Sequence, residues 1–252
     1  MQAFLTSHLC FYNTPEIDPN NGLIERLRAA LPDPFSTVFV CSNPYAHERT
    51  VFFAGEIEQG FSNAGFSPRP FAVLDAQNEA KARELIRAAD CVVLGGGHVP
   101  TQNAFLERIG LKAILQDFDG VLIGISAGTM NSAETVYAQP EEPGEATDPA
   151  YRRFLNGPGL TKVMLLPHYQ AYRNDVVDGL RVYEDVTYPD SFGRRFYAVP
   201  DGSYLHIDGA AQWLCGEAYR IEDGVIEQVL SDGERQLLNG DRLVGERERI
   251  GG

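Results

Sequence analysis

The first half of the chain alternates short, almost wholly apolar runs with stretches of helical periodicity, and that alternation restricts the fold more than any other feature. The runs are Gln2 to Thr6, Thr37 to Cys41, Pro70 to Leu74, Cys91 to Gly95 and Val121 to Ile125. Each is apolar without a polar face, so each reads as a strand buried on both sides. Strands of that kind separated by helices predict a mostly parallel sheet with helices on both faces, an α/β fold. The intervening helices are expected over Gly22 to Leu31, His47 to Ala64, Glu79 to Ala89 with Asn78 as N-cap, Thr101 to Phe118, and Ala127 to Glu134.

The second half reads differently. Gln139 to Gly159, rich in Pro, Gly and Glu, predicts a long surface loop before another buried strand at Lys162 to Leu166. Beyond Phe196, short alternating segments broken by Asp-Gly turns predict antiparallel hairpins that extend the same sheet. Residues 240–252 are polar and are expected to fray. The 252 residues suit a single domain spanning 1–252.

Charge narrows the partners. The formal net charge of -14 opposes binding of a polyanion, so no nucleic-acid partner is expected. Cys10, Cys41, Cys91 and Cys215 form no CxxC pair and have no neighbouring histidine, so neither a metal site nor a disulfide framework is expected. Cys41 and Cys91 stand in apolar runs and read as small buried hydrophobes. The N-terminal residues lack a basic segment followed by a long apolar one, and no run reaches the ~20 apolar residues of a membrane helix. The expectation is a cytoplasmic protein with no membrane partner and no cofactor, a monomer or small homo-oligomer.

Chemistry concentrates where the buried strands end. Gly124-Ile125-Ser126-Ala127-Gly128 joins a strand to a helix and has the GxSxG pattern. A sharp strand-to-helix turn needs small flanking residues and lifts the serine hydroxyl above the sheet edge. The backbone N–H of Ala127 then points at the same place, beside the positive end of the helix. Gly95-Gly96-Gly97-His98 also follows a buried strand, at the edge where open α/β sheets bind ligands. Its spacing fits neither GxGxxG nor a phosphate-binding loop with lysine. Beside Ser126 it offers a second oxyanion donor, and Gly97 and His98 become candidate substrate-binding residues.

A serine nucleophile needs a base, and His168 is the best placed of five histidines, because Lys162-Val-Met-Leu-Leu-Pro-His168 runs off the end of a strand. Asp201, in Phe196-Tyr-Ala-Val-Pro-Asp201-Gly202, repeats that pattern and is the candidate carboxylate, although Pro-Asp-Gly is equally a plain turn sequence. The order Ser126, His168, Asp201 differs from the Ser, Asp, His order of α/β-hydrolases. An arrangement of that second kind would draw on Asp175 or Asp178 with His206. Arg173 and Arg181 are candidates for binding a substrate carboxylate.

Taken together, GGG at 95–97, GxSAG at 124–128, PH at 167–168 and PDG at 200–202 resemble the peptidase E family of serine peptidases, which includes aspartyl dipeptidase and cyanophycinase. The similarity spans roughly residues 85–230. It implies a class I glutamine amidotransferase-like fold, with Ser126 as nucleophile, His168 as general base and Asp201 where aspartyl dipeptidases carry glutamate. It also implies Gly96 and Ala127 as backbone oxyanion donors and a small peptide as substrate. Two features depart from the family: His98-Val-Pro replaces the asparagine that follows the glycine loop, and the acidic segment 141–148 has no match. The Asp-Xaa preference of the dipeptidases is therefore not carried over with the triad. An esterase or amidase would use the same three residues, and the fold also accommodates non-catalytic ligand-binding modules.

Overall fold

The computed structural model describes residues 1–251. Its centre is a nine-stranded sheet. Five of its strands are parallel: β1 (Gln2–Thr6), β2 (Thr37–Val40), β3 (Ala72–Leu74), β4 (Cys91–Leu94) and β5 (Val121–Ile125), in the spatial order β1, β5, β4, β2, β3. The helices are α1 (Leu23–Ala30), α2 (His47–Asn63), α3 (Ala82–Ala88), α4 (Val99–Arg108), α5 (Leu111–Leu115) and the short α6 (Ala127–Met130).

The apolar strands divide their side chains between two cores, as the two-residue repeat of a strand dictates. Val92 and Leu94 of β4, with Leu122 of β5, pack with Ile86, Phe105 and Ile114 on one face. Cys91 and Val93, with Val121 and Ile123, pack with Leu27, Ala54 and Phe61 on the other. Cys41 and Cys91 are fully buried, and all four cysteines are free.

Several boundaries differ from the expectations, each for a local reason. The stretch Thr101 to Phe118 is two helices, broken where Gly110 takes a left-handed conformation (φ 69°). Glu79 to Ala89 begins as a 3₁₀ turn at Glu79–Lys81 before α3. Asn78 does not cap it, because its side chain ties down the preceding loop, accepting from the Asp75 N–H and donating to the Val73 carbonyl. The loop expected over 139–159 contains a strand, Phe154–Asn156, paired with Thr135–Tyr137.

The C-terminal hairpins do not all extend one sheet. Tyr204–Asp208, Ala211–Cys215, Glu234–Asn239 and Arg242–Arg249 add antiparallel strands beyond β1. Arg195–Ala198, Ala218–Glu222 and Val225–Leu230 instead join Met164–Leu166 in a separate four-stranded sheet. That sheet shares Val163, Leu165, Tyr197 and Val199 with the first core, while Leu166, Phe196 and Ala198 form a third core with Ala127 and Met130. The tail expected to fray is ordered through Arg249 as an edge strand, held by the ladder to Glu234–Asn239; Gly252 lies outside the described residues. Among the described residues, no helix is long and apolar enough to cross a membrane.

Candidate active site

Ser126 sits at the turn between β5 and α6 with φ 51° and ψ -110°. A non-glycine residue at positive φ costs on the order of 1–3 kcal/mol and persists only where its surroundings impose it. Close packing imposes it here. A Cβ on Gly128 would lie 2.2 Å from the Leu94 carbonyl oxygen, and one on Gly124 would lie 2.9 Å from the Thr129 backbone. The two glycines thus let α6 fold back against β4 and β5. Beside the elbow, a Cβ on Gly96 would stand 3.3 Å from the Ser126 Cβ, so the glycine loop borders the serine directly. Gly97 (φ 151°) lies against Ser42, whose Oγ would be 2.4 Å from an added Cβ. Ala127 opens α6 and is buried, so its N–H belongs to the first helical turn, whose donors have no partner within the helix.

His168 and Asp201 leave neighbouring parallel strands of the second sheet, Met164–Leu166 and Arg195–Ala198. The Val199 N–H donates to the Leu166 carbonyl at 2.9 Å and the Tyr169 N–H to the Val199 carbonyl at 3.2 Å, so the two strand ends are stitched together beyond the ladder. His168 takes a left-handed conformation (φ 58°, ψ 31°) at the start of the Tyr169–Tyr172 turn. Its Nδ1 lies 2.7 Å from Oδ1 of Asp201. An ionised carboxylate only accepts, so Nδ1 carries a proton, and in the neutral ring Nε2 is then the acceptor. Asp201 stands in a Pro200–Ser203 turn closed by a 3.2 Å backbone bond. The turn and the imidazole contact therefore coexist.

The carboxylate of Asp201 is saturated with donors. Ser7 Oγ donates to Oδ1 at 2.7 Å, Gln170 Nε2 donates to Oδ2 at 2.6 Å, and His8 Nδ1 stands 3.4 Å from Oδ2. Burial alone would push its pKa up, but the hydrogen bonds from His168, His8 and Ser7 outweigh it and hold the group well below the usual carboxylate range. Ser7 is fully buried and also accepts the His168 N–H at 2.8 Å. The preceding residue, Thr6, accepts the Ser126 N–H on its carbonyl at 3.2 Å and the Thr129 hydroxyl at 2.7 Å. Thr6 and Ser7 therefore connect the serine elbow to the His168–Asp201 pair. Among the described residues, no hydrogen bond joins Ser126 Oγ to His168.

The remaining candidates sort clearly. His98 Nδ1 is 2.8 Å from Thr101 Oγ1, and its Nε2 is 2.8 Å from Glu145 Oε1. Both ring nitrogens are engaged, so His98 fastens the acidic loop to the glycine loop, and a substrate contact through either nitrogen would have to displace a partner. The second Glu145 oxygen accepts the N–H groups of Glu141 and Glu142. Although His98, Glu142 and Glu145 have ligand-type atoms within 4.8 Å of one another, Glu145 is already spent on the loop. Arg173 is exposed at the end of the Tyr169–Tyr172 turn. Arg181 is exposed and paired with Asp185 at 2.7 Å.

His206 is stacked on Phe4 within the central sheet, with centroids 4.6 Å apart. Asp178 accepts the Gly144 and Ala146 N–H groups. These two residues therefore do not form the alternative triad. Sequence reasoning missed Ser7, set His8 aside in favour of His168, and missed Asp18 and Gln170. The first two carried a usable signal, since Thr6-Ser7-His8 runs off a buried strand at the same sheet edge as Ser126.

Comparison with known proteins agrees with this architecture. A peptidase from an acI-B1 Actinobacterium is similar in structure with a TM-score of 0.61 and 17% identity, covering 98% of this chain and 96% of that one. A putative peptidase E protein from Listeria monocytogenes EGD-e gives a TM-score of 0.57 and 15% identity, covering 91% and 98%. No curated protein matches the sequence significantly. Residues 19–213, more than three quarters of the chain, match the model of Peptidase family S51. The chain belongs to that family of serine peptidases.

Proposed function

We propose that the protein hydrolyses short peptides through an acyl-enzyme on Ser126. In this reading Ser126 Oγ attacks the scissile carbonyl while His168 Nε2 takes its proton. The N–H groups of Ala127 and Gly96 donate to the oxyanion, and His168 returns the proton to the leaving amine. Water then repeats the sequence to free the acid. Asp201 holds the imidazole in the tautomer that leaves Nε2 basic. No step calls on a metal or cofactor.

The observation that carries the reading is the 2.7 Å contact between His168 Nδ1 and Asp201 Oδ1, joined through Ser7 and Thr6 to an elbow in which Ser126 is held at positive φ. Gly97 lines the approach, and Arg173 is the cation available for a substrate carboxylate. The loop fastened by His98 and Glu145 narrows the entrance and favours small substrates.

The test is hydrolysis of a dipeptide and isoaspartyl-peptide panel by wild type and Ser126→Ala, with fluorophosphonate labelling alongside. Loss of a nucleophile of this kind costs on the order of a million-fold in kcat. Full activity in Ser126→Ala would refute the mechanism. A preference for N-terminal aspartate that disappears in Arg173→Ala would assign that arginine to the substrate carboxylate.

A further inference from the structure

His8 lies between two carboxylates, and the geometry at both ring nitrogens defines its state. Nε2 is 2.6 Å from Oδ2 of Asp18, and Nδ1 is 3.4 Å from Oδ2 of Asp201. Each carboxylate can only accept, so a neutral imidazole, with one N–H, could satisfy one of them and would turn a lone pair toward the other. An imidazolium satisfies both. Asp18 is 2% exposed and is fixed by the Asn20 N–H, which donates to Oδ1 at 2.9 Å. Phe11 closes one side of the ring edge-on, with centroids 5.8 Å apart. The charged groups facing His8 are Asp18 from its own loop and Asp201 from the Pro200–Ser203 turn. His168 and Gln170 reach Asp201 from the Tyr169–Tyr172 turn.

We propose that His8 is a positioning residue for the reaction: as an imidazolium bridging Asp18 and Asp201, it stands with Gln170 at the second oxygen of Asp201 and offsets part of the carboxylate charge that faces His168. This rests on the assignment of Asp201 and His168 proposed above. An unopposed carboxylate against Nδ1 would raise the proton affinity of His168, and the buried Asp18 charge behind it would add to the effect. A cation placed between the two carboxylates opposes both. The direction of the His8 pKa agrees: burial lowers it, but Asp18 and Asp201 together carry it up to about 9.

The experiment is an NMR titration of the histidine rings in the free protein, paired with the pH dependence of kcat/KM for the best peptide of the panel. In wild type the His8 ring is expected to carry both protons at neutral pH. In His8→Gln the titration of His168 and the acid limb of kcat/KM should both move up by about one pH unit, the size expected on losing one nearby opposing charge. The plateau at high pH should change far less, and His8→Lys should move the limb back toward wild type. A neutral His8 ring in wild type at neutral pH overturns the proposal without any variant needing to fold. So does a His8→Gln limb that stays in place. If Ser126→Ala is inactive while that limb is unmoved, the proposal falls and the serine mechanism stands. Activity surviving in Ser126→Ala would remove the mechanism itself and the catalytic meaning of His8 with it.

Discussion

The hydroxyl of Ser7 touches both His168 and Asp201, accepting the backbone N–H of His168 at 2.8 Å and donating to Oδ1 of Asp201 at 2.7 Å. One buried side chain thus fixes both the strand end that carries His168 and the Asp201 carboxylate that meets its ring. Its neighbour Thr6 holds the serine elbow through the Ser126 N–H. Hydrogen bonds to charged groups contribute about 1.5–3 kcal/mol, so Ser7→Ala should lower kcat roughly 10- to 100-fold. KM should change little, because Ser7 is buried and contacts His168 and Asp201 rather than solvent. Steady-state kinetics on any cleaved peptide decides it, and an unchanged kcat would remove Ser7 from the site.

Two glycines give opposite expectations for the same substitution. A Cβ on Gly128 would collide with the Leu94 carbonyl oxygen at 2.2 Å, with backbone on both sides of the clash. Gly128→Ala should therefore cost at least about 3 kcal/mol, the range of severe overpacking, and remove labelling of Ser126. Gly55, inside α2, has nothing within 4 Å of an added Cβ. Gly55→Ala should stabilise by about 0.5–1 kcal/mol through the lower entropy of the unfolded chain. Denaturant melts of both variants test the packing account of the elbow.

How much of this was legible in the sequence depends on the range of the interaction. The parallel strands β1 to β5 were readable because each is a continuous apolar run, and burial on both faces requires that. The placing of Ser126, His168 and Asp201 at strand ends was readable because each follows such a run. The assignment of Met164–Leu166 and Arg195–Ala198 to a second sheet was not readable. Nothing in those residues distinguishes a strand that pairs with β1 from one that stacks over its neighbours. Gly110 was visible within the run Thr101 to Phe118, but a single glycine is also tolerated within a helix. The fastening of His98 by Glu145 spans 47 residues and leaves no local trace.

That fastening has its own consequence. Glu145 holds its loop from both oxygens, to His98 on one side and to the N–H groups of Glu141 and Glu142 on the other. Burial raises its pKa, but these bonds outweigh burial and hold it below the usual glutamate range. Glu145→Ala removes every one of them, leaving Asp178 to hold Gly144 and Ala146. The loop should then open, and a protease of broad specificity should nick it within residues 141–150 several-fold faster than in wild type. Equal nicking rates would show that Asp178 and the backbone bonds of the loop hold it without the Glu145 side chain.

Two histidines pull stability in opposite directions along the pH axis. His8 has its pKa raised from 6.5 to about 9, burial being outweighed by Asp18 and Asp201. Its contribution is fully present below pH 6.5 and is lost as pH rises through about 9. His206 has its pKa lowered to about 4, chiefly by burial and then by the charge of Arg26. It folds neutral, stacked on Phe4 with a buried Nδ1 that has no partner. The unfolded chain takes up that proton first, so stability falls as pH drops from 6.5 toward about 4. Each shift corresponds to between about 3 and 4 kcal/mol at most, at 1.36 kcal/mol per unit. Thermal melts across pH should therefore peak near 6.5 where these two groups dominate. His206→Phe keeps the stack and removes the acid-side titration, so it should flatten the decline between pH 6.5 and 4 while leaving the alkaline side as in wild type. A His206→Phe curve that falls on the acid side as steeply as wild type would mean that carboxylates such as Asp201, and not His206, set the acid limit.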